Sequence, residues 1–442
     1  MADDHAIPDA PAFPVSVADH PVVHEAVRRL DALGDRRFGA TLVRALDDTL
    51  RTTITRMPDG TAFVLTGDIP AMWLRDSTVQ LAPYLALVDG DESLQALVVA
   101  VLRRQYAQIR SDPYANAFNA EPSGAAHDHA DLCDDPWVWE EKYEVDSLAF
   151  PLQLAERFTR ATGRTDHLDD DWAATCRTVI DLWRTEQDHA ARSAYRFVRR
   201  DVPVTDTLAR DGAGAPVGVT GMTWSGFRPS DDACVYGYNV PANLTAAAVL
   251  DGVARLATEV RGDDALAESA SELAAELREG VERHGVVDGT LAYEVDGLGG
   301  VLRTDDANMP SLLSLPLTAG IPADDARYLA TRDFVLSPAN PTWYAGTAAH
   351  GVGSPHTPPD HIWPIAIAVE GLTSLDPDVR LERLRTLLDT DAGTGAMHES
   401  FHMDDPTEYT RPWFSWANAM YAELALDVVG LGTRRLWDVT AD

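Results

Sequence analysis

The chain has 442 residues, 45% of them hydrophobic, and its 36 basic and 70 acidic residues give a formal net charge of −34. Such a surface repels nucleic-acid phosphates and anionic membranes, so neither is expected as a partner. No uncharged stretch approaches the roughly 18 apolar residues that a membrane span requires, and the beginning of the sequence lacks the pattern of a secretory signal.

Helical patterns dominate after a tail over residues 1–20, which contains several prolines and alanines. The strongest pattern covers 92–110, where apolar residues from Leu94 to Tyr106 recur at spacings of three and four. Helices are predicted over 22–32, 39–53, 75–88, 92–110, 144–162, 171–190, 241–261, 264–284, 308–317, 323–332, 361–372, 380–389 and 412–429. Short strands are predicted over 61–67, 194–198 and 290–295.

This order of elements predicts an all-α protein with a few short β-hairpins. About a dozen helices, with long aromatic and Gly/Pro-rich loops after every second one, fit an (α/α)6 toroid better than a helix bundle. No period of 20–50 residues repeats, and no Gly- or Ser-rich linker divides the chain. We therefore expect one catalytic domain over residues 21–442.

The cysteines indicate a reducing compartment. Cys133, Cys176 and Cys234 are odd in number and scattered, which excludes a disulfide framework, and no CxxC pair is present to hold zinc. A cytoplasmic protein with reduced thiols is the expectation.

The most informative motif is GDIPAMWLRDSTVQ, residues 67–80. Trp73, Arg75 and Asp76 crowd together behind a proline, and core packing alone has no use for all three. An aromatic face, a forked guanidinium and a carboxylate are suited to grip a polyhydroxylated ring. Three further segments, at 137–147, 223–234 and 351–366, also mix aromatic residues with carboxylates or histidines and Gly/Pro punctuation. Together they predict a carbohydrate site built from loops.

Hydrolysis of a glycoside needs one protonated carboxyl group and one ionised carboxylate. Asp231 and Asp232 are the candidates for the acid, because repulsion between adjacent aspartates can raise one pKa while Arg228 keeps the other ionised. The residues alone do not distinguish the two aspartates.

Glu399 is the candidate for the base. It lies in His398-Glu399-x-x-His402, the pattern of zinc hydrolases, which requires a helix to bring both histidines to one face. Gly393 and Gly395 precede the pattern and Pro406 follows it, so a helix is disfavoured. We expect Glu399 on a short loop, with no metal and no other cofactor.

With these motifs, the chain resembles glycoside hydrolase family 125, the metal-independent exo-α-1,6-mannosidases, over residues 38–430. The resemblance rests on GDIPAMWLRDS, WEEKYEVDSLAFPLQ, WSGFRPSDDAC, GVGSPHTP, IWPIA and MHESFH, in that order. It implies an (α/α)6 fold, an α-mannoside substrate, inversion at the anomeric carbon, an aspartate acid at 231 or 232, with a preference for Asp231, and Glu399 as the base. Glu141 stands where the family pattern has a basic residue.

The sugar pocket is then expected to lie between the WLRDS and WEEKYEVDS segments. Trp73, Trp137 and Trp363 are expected to close its blind end. The residues expected to bind substrate are Trp73, Arg75, Asp76, Trp139, Glu140, Glu141, Asp146, Trp224, Arg228, His356, His398 and His402.

Three other functions are consistent with parts of this pattern. Stacking and carboxylates do not distinguish epimers at C2, so an α-glucosidase is the nearest alternative. A sugar epimerase on the same toroid is the second. A zinc hydrolase that uses His398 and His402 is the third.

Overall fold

The computed structural model describes residues 13–129 and 131–437. Part of the predicted tail, residues 1–12, lies outside the described residues, and the first helix begins at Pro21. The helices are α1 (Pro21–Asp31), α2 (Arg37–Thr52), α3 (Leu74–Val79), α4 (Glu92–Ser111), α5 (Val145–Thr162), α6 (Asp170–Glu186), α7 (His189–Arg192), α8 (Ala209–Gly212), α9 (Val240–Leu256), α10 (Asp264–Gly280), α11 (Leu315–Thr318), α12 (Ala326–Val335), α13 (Pro364–Leu372), α14 (Pro377–Asp389) and α15 (Ser415–Val428).

The strands are two or three residues long. They are β1 (Ile54–Arg56), β2 (Ala62–Val64), β3 (Met72–Trp73), β4 (Ala117–Phe118), β5 (Val138–Glu140), β6 (Tyr238–Asn239), β7 (Val286–Val287), β8 (Thr290–Leu291), β9 (Glu294–Val295), β10 (Val301–Leu302), β11 (Trp343–Ala345), β12 (His350–Val352), β13 (His361–Ile362), β14 (Ser400–His402) and β15 (Tyr409–Thr410). They form antiparallel pairs and three-stranded sheets, among them β3-β4-β5 and β13-β14-β15.

The helices form an inner and an outer set that alternate along the chain. In the inner set, α3 packs on α5, α5 on α9, α9 on α11, α13 on α15, and α15 returns to α3. The outer set consists of α2, α4, α6, α10, α12 and α14, with α4 against α6 and α14 against α2. This arrangement is the (α/α)6 toroid, so the predicted fold class is confirmed.

Burial separates the two sets. Every residue of α13, from Pro364 to Leu372, is buried. In the outer helix α14, only Arg383, Leu384, Leu387 and Leu388 are buried. A helix surrounded by other helices is buried on all faces, whereas an outer helix needs only one apolar stripe.

Two predicted elements are wrong. The segment 194–198 is not part of a strand; Phe197 donates its N–H to the carbonyl of Gly212 in a loop contact. The helix predicted over 308–317 is confined to α11, because the carboxylate of Asp305 accepts the N–H groups of Leu312 and Leu313. Amides bound to a side chain in this way favour a turn over a helix.

Among the described residues, none of the helices is both long enough and apolar enough to cross a bilayer.

Candidate active site

A cavity of about 370 Å³ opens where the inner helices begin. Short strands lead into these helices: β3 is followed at once by α3, and β13 and β15 precede α13 and α15. The wall of the cavity includes Trp73, Arg75, Asp76, Glu140, Lys142, Asp231, Asp232, Asn308, His356, Trp363, Glu399, Arg411 and Trp416.

Arg75 organises the floor of the cavity. Its Nη1 donates to Oε2 of Glu144 at 2.8 Å and to Oδ2 of Asp146 at 3.1 Å. Its Nη2 lies 3.3 Å from Oδ1 of Asp76 and 3.8 Å from Oδ1 of Asp231. The guanidinium is buried, so these charges interact strongly and their proton occupancies are linked.

Asp231 reaches the cavity from the loop after Arg228. Its φ of 68° lies in the left-handed region, and its side chain is 23% exposed. Asn116 donates to its Oδ1 at 3.3 Å. Burial alone would raise the pKa of Asp231, but Arg75 and Lys142 hold it well below its ordinary value. Asp231 is therefore ionised at rest, and it gives up a proton readily once it carries one.

Asp232 points to a different partner. His356 Nδ1 lies 3.1 Å from Oδ1 of Asp232. Burial would lower the pKa of His356, but Asp232, with Asp231 and Glu399 nearby, raises it to about 9. The imidazole is consequently a cation at neutral pH, paired with Asp232 at the cavity wall.

Glu399 immediately precedes β14 and is buried. Its Oε1 lies 3.5 Å from Nη1 of Arg411, and Arg411 Nε also donates to Asp68 Oδ1 at 2.9 Å. The contact with Arg411 fixes the position of the Glu399 carboxyl group at the cavity wall, and a general base must be held within reach of the proton that it removes.

Aromatic side chains complete the wall. Trp73 ends β3, Trp363 precedes α13, and Phe414 and Trp416 flank the start of α15. The indole N–H of Trp73 is buried and has no hydrogen-bond partner among the described residues. Indole faces on a cavity wall can stack on the apolar face of a sugar ring.

Lys142 and Asp206 of the cavity wall, and Arg199 and Asp131 behind it, lie outside the sequence-based set. Lys142 donates to Asp206 at 2.6 Å and lies 3.8 Å from Glu140. Arg199 donates to the same Glu140 at 2.8 Å and also pairs with Asp131. Lys142 stands inside the WEEKY motif and could have been chosen for that reason. Asp131, Arg199 and Asp206 carry no local signal, because only the tertiary fold brings them to Glu140.

Seven residues expected to bind substrate do not contribute to the cavity wall. Asp146 lies behind it, bound to Arg75, and Trp139 packs beside Trp73. Trp224 stacks on His189 with ring centroids 3.6 Å apart. Arg228 pairs with Glu294 at 2.5 Å.

The other three are Glu141, His398 and His402. Burial, with Asp112 beside it, raises the pKa of Glu141 to about 8. His398 stacks on Tyr409 with centroids 3.7 Å apart, and His402 faces His361 across the β13–β14 pair. Of the tryptophans expected at the blind end, Trp73 and Trp363 line the cavity, whereas Trp137 is 40% exposed and does not.

The HExxH pattern is not helical here. Ser400–His402 form β14, so the i, i+4 geometry that would bring both imidazoles to one metal is missing. Within residues 13–129 and 131–437, the one group of three potential metal ligands is Asp112, Cys133 and Glu141. It does not contribute to the cavity wall.

Comparison with known proteins agrees with this geometry. A family model described as metal-independent α-mannosidase (GH125) matches residues 35–426. The meiotically up-regulated gene 157 protein of Schizosaccharomyces pombe is 35% identical over 417 residues, which are 89% of this chain and 82% of that protein.

Solved structures give the same result. A Streptococcus pneumoniae structure, described as a metal-independent α-mannosidase in a non-productive complex with α-1,6-mannobiose, is 44% identical with a TM-score of 0.90. The match covers 92% of this chain and 97% of that chain. A wild-type glycosidase, 18% identical with a TM-score of 0.53 over 90% of this chain and 98% of its own, shares the fold alone. The extent of these matches shows that this chain belongs to glycoside hydrolase family 125, the metal-independent α-mannosidases.

Proposed function

We propose that this enzyme releases single mannose units from α-1,6-linked non-reducing ends, with inversion to β-mannose. The observation that carries the proposal is the presence of Asp231 and Glu399 in one cavity with Trp73, Trp363 and Trp416. A carboxylic acid for the leaving oxygen, a carboxylate for the attacking water and indole faces for a sugar ring are the parts of an inverting glycosidase site. The related S. pneumoniae structure, described as a complex with α-1,6-mannobiose, supports this choice of linkage.

Asp231 is the proposed general acid and Glu399 the proposed general base. Asp232 is already engaged by His356, whereas Asp231 is partly exposed at the cavity surface and held by the weaker donor Asn116. In the reaction, the leaving oxygen takes a proton from Asp231 while Glu399 removes one from the attacking water. For inversion, a water must fit between Glu399 and the anomeric carbon. This requirement predicts a distance of roughly 6.5–9.5 Å between the carboxyl groups of Asp231 and Glu399.

The charged residues of the cavity wall are proposed to recognise mannose. Arg75, Asp76 and Glu140 are buried and can bind the axial 2-hydroxyl by charge-assisted hydrogen bonds. A glucose epimer would leave one of these groups unpaired, at about 1–3 kcal/mol, or roughly 5- to 150-fold in kcat/KM.

The test is to incubate the protein with α-1,6-mannobiose and to follow the product anomers by NMR. We expect β-mannose as the first product, with much weaker action on α-1,2- and α-1,3-mannobiose. Isomaltose, the α-1,6-linked glucose disaccharide, is the matched control. Equal turnover of isomaltose would identify an α-glucosidase, and a product with retained connectivity but altered C2 would identify an epimerase.

We also propose a cytoplasmic location and one catalytic domain over 21–442. All three cysteines are free, and Cys176 is fully buried, which suits a reducing compartment. Subcellular fractionation of the source cells with an antibody to this chain would test the location.

A further inference from the structure

Arg75 is surrounded by carboxyl groups of Asp76, Glu144, Asp146 and Asp231. One guanidinium cannot neutralise four buried carboxylates, and the remaining repulsion is relieved when a carboxyl group binds a proton. This cluster therefore holds at least one proton near neutral pH.

The hydrogen bonds indicate where that proton is. Glu144 Oε2 accepts from Arg75 Nη1 at 2.8 Å and from Ser147 Oγ at 2.7 Å. Among the described residues, no N–H or hydroxyl group donates to the buried Oε1 of Glu144, and the same holds for Oδ1 of Asp76 and Oδ1 of Asp146. Buried oxygens without a donor are suited to carry a proton themselves, and Glu144 is in side-chain hydrogen-bond contact with Asp231. A hydrogen bond between Glu144 and Asp231 also contributes to the lowered pKa of Asp231, after burial and the charges of Arg75 and Lys142.

We infer that Glu144 and Asp231 share a single proton, and that Glu144 is the positioning residue that keeps Asp231 supplied with it. This inference rests on the proposed role of Asp231 as general acid. The charged or titratable groups that face the pair are Arg75 and Asp76 from α3, Asp146 from α5, Lys142 and Glu140 from the β5 segment, Cys234, and His356.

The shared proton has a kinetic consequence. While the pair holds one proton, that proton is either on Asp231 or on Glu144. The fraction of molecules with the proton on Asp231 depends only on the relative stability of these two forms, so it does not change with pH. In each turnover the proton on Asp231 passes to the leaving oxygen, and the attacking water gives one to Glu399. Afterward Glu399 loses that proton to solvent and the Glu144–Asp231 pair regains one, so protons balance.

The decisive variant is Glu144→Gln. Its side-chain amide can still donate a hydrogen bond to Asp231 but cannot transfer a proton to it. Asp231 then titrates alone beside Arg75 and Lys142. For α-1,6-mannobiose, kcat/KM of the wild type should be nearly flat between about pH 6 and 7, whereas that of Glu144→Gln should fall about tenfold per pH unit. An aryl α-mannoside with a good leaving group needs little acid assistance, so its profile should be flat for both proteins.

The matched control is Asp146→Asn, which removes another carboxylate from Arg75 but leaves both members of the pair. Its profile should keep the flat region, whatever its level of activity. A flat profile for Glu144→Gln with the disaccharide would overturn the inference. So would an equal loss on both substrates with an unchanged pH profile, since that indicates a structural role.

Two further variants test the role of Glu144 and the role of Asp231 separately. If Glu144→Gln does not fold, Glu144→Asp replaces it: the shorter side chain holds its carboxyl farther from Asp231, so the flat region should end at a lower pH. An unchanged profile would contradict the inference. Asp231→Asn tests the proposed function separately, because full activity of that variant on mannobiose refutes the acid assignment whatever Glu144→Gln shows.

Discussion

Glu399 Oε1 lies 3.5 Å from Nη1 of Arg411, and the same guanidinium is bound to Asp68. The base candidate is thereby held from the segment that leads into α15, and Asp68 in turn ties that segment to the GDIPAMWLRDS motif. Arg411 thus both positions the Glu399 carboxyl group and places a positive charge beside it.

Replacement of Glu399 by Gln should keep its shape and remove the base. We expect kcat on α-1,6-mannobiose to fall by about 10²–10⁴-fold, with little change in the melting temperature. Glu408→Gln, at an exposed position just before β15, is the control and should be fully active. A fully active Glu399→Gln would refute the assignment of the base.

Asp231→Asn and Asp232→Asn should separate the acid from its neighbour. If Asp231 is the acid, its variant loses about 10²–10⁴-fold on the disaccharide and much less on an activated aryl mannoside. Asp232→Asn should lose similar factors on both substrates, because it disturbs His356 and not the leaving oxygen. The opposite pattern would transfer the acid role to Asp232.

The His356–Asp232 pair should be visible by NMR. In the wild type, Asp232 is the main reason that the pKa of His356 rises to about 9 despite burial. In Asp232→Asn the opposing charge is gone, so the midpoint of the His356 titration should fall by roughly 1–3 units. At least half of the imidazole would then be neutral at pH 8, where most of the wild type is still cationic. A midpoint that does not move would show that Asp232 does not set this pKa.

Glu423 should make stability depend on pH. Burial raises its pKa to about 7, while Thr433 donates to its Oε2 at 2.9 Å. Because this pKa lies above the unfolded value, the native state is favoured at low pH and loses stability as the pH rises through 7. Glu423→Gln removes this loss, so its free energy of unfolding at pH 8 should exceed that of wild type by about 1–3 kcal/mol.

Chemical denaturation at pH 4 and pH 8 measures this difference. At pH 4 the wild-type side chain is protonated in the native state and mostly protonated in the unfolded state, so the two proteins should have similar stability. The exposed Glu279→Gln is the control and should show no pH-dependent difference. If Glu423→Gln is no more stable at pH 8, the pKa of Glu423 is not raised.

Activity should survive exhaustive chelation. The strand over Ser400–His402 prevents the two histidines of HExxH from sharing a metal as they would on a helix. The measurement is kcat on mannobiose before and after dialysis against a chelator, with metal analysis of both samples. Stoichiometric zinc whose removal abolishes activity would contradict the two-carboxylate mechanism.

The sequence by itself determined the all-α class, the toroid and the family. Amphipathic periods and the alternation of helices with long loops are local patterns, so they can be read without a structure. It also indicated Trp73, Arg75, Asp76, Asp231 and Glu399, all of which the structure places in one cavity. Their motifs lie where a strand or loop meets the next element. The residues of each motif are close together along the chain, so a local sequence pattern is enough to identify them.

Only the tertiary structure decided which residues surround them. Asn116, Arg199 and Arg411 reach Asp231, Glu140 and Glu399 from other parts of the chain. In the same way, Trp224 stands in a motif rich in site residues, yet it stacks on His189 in the core. Closure of the helical ring sets these contacts, and a local pattern carries no information on which side chains the ring brings together.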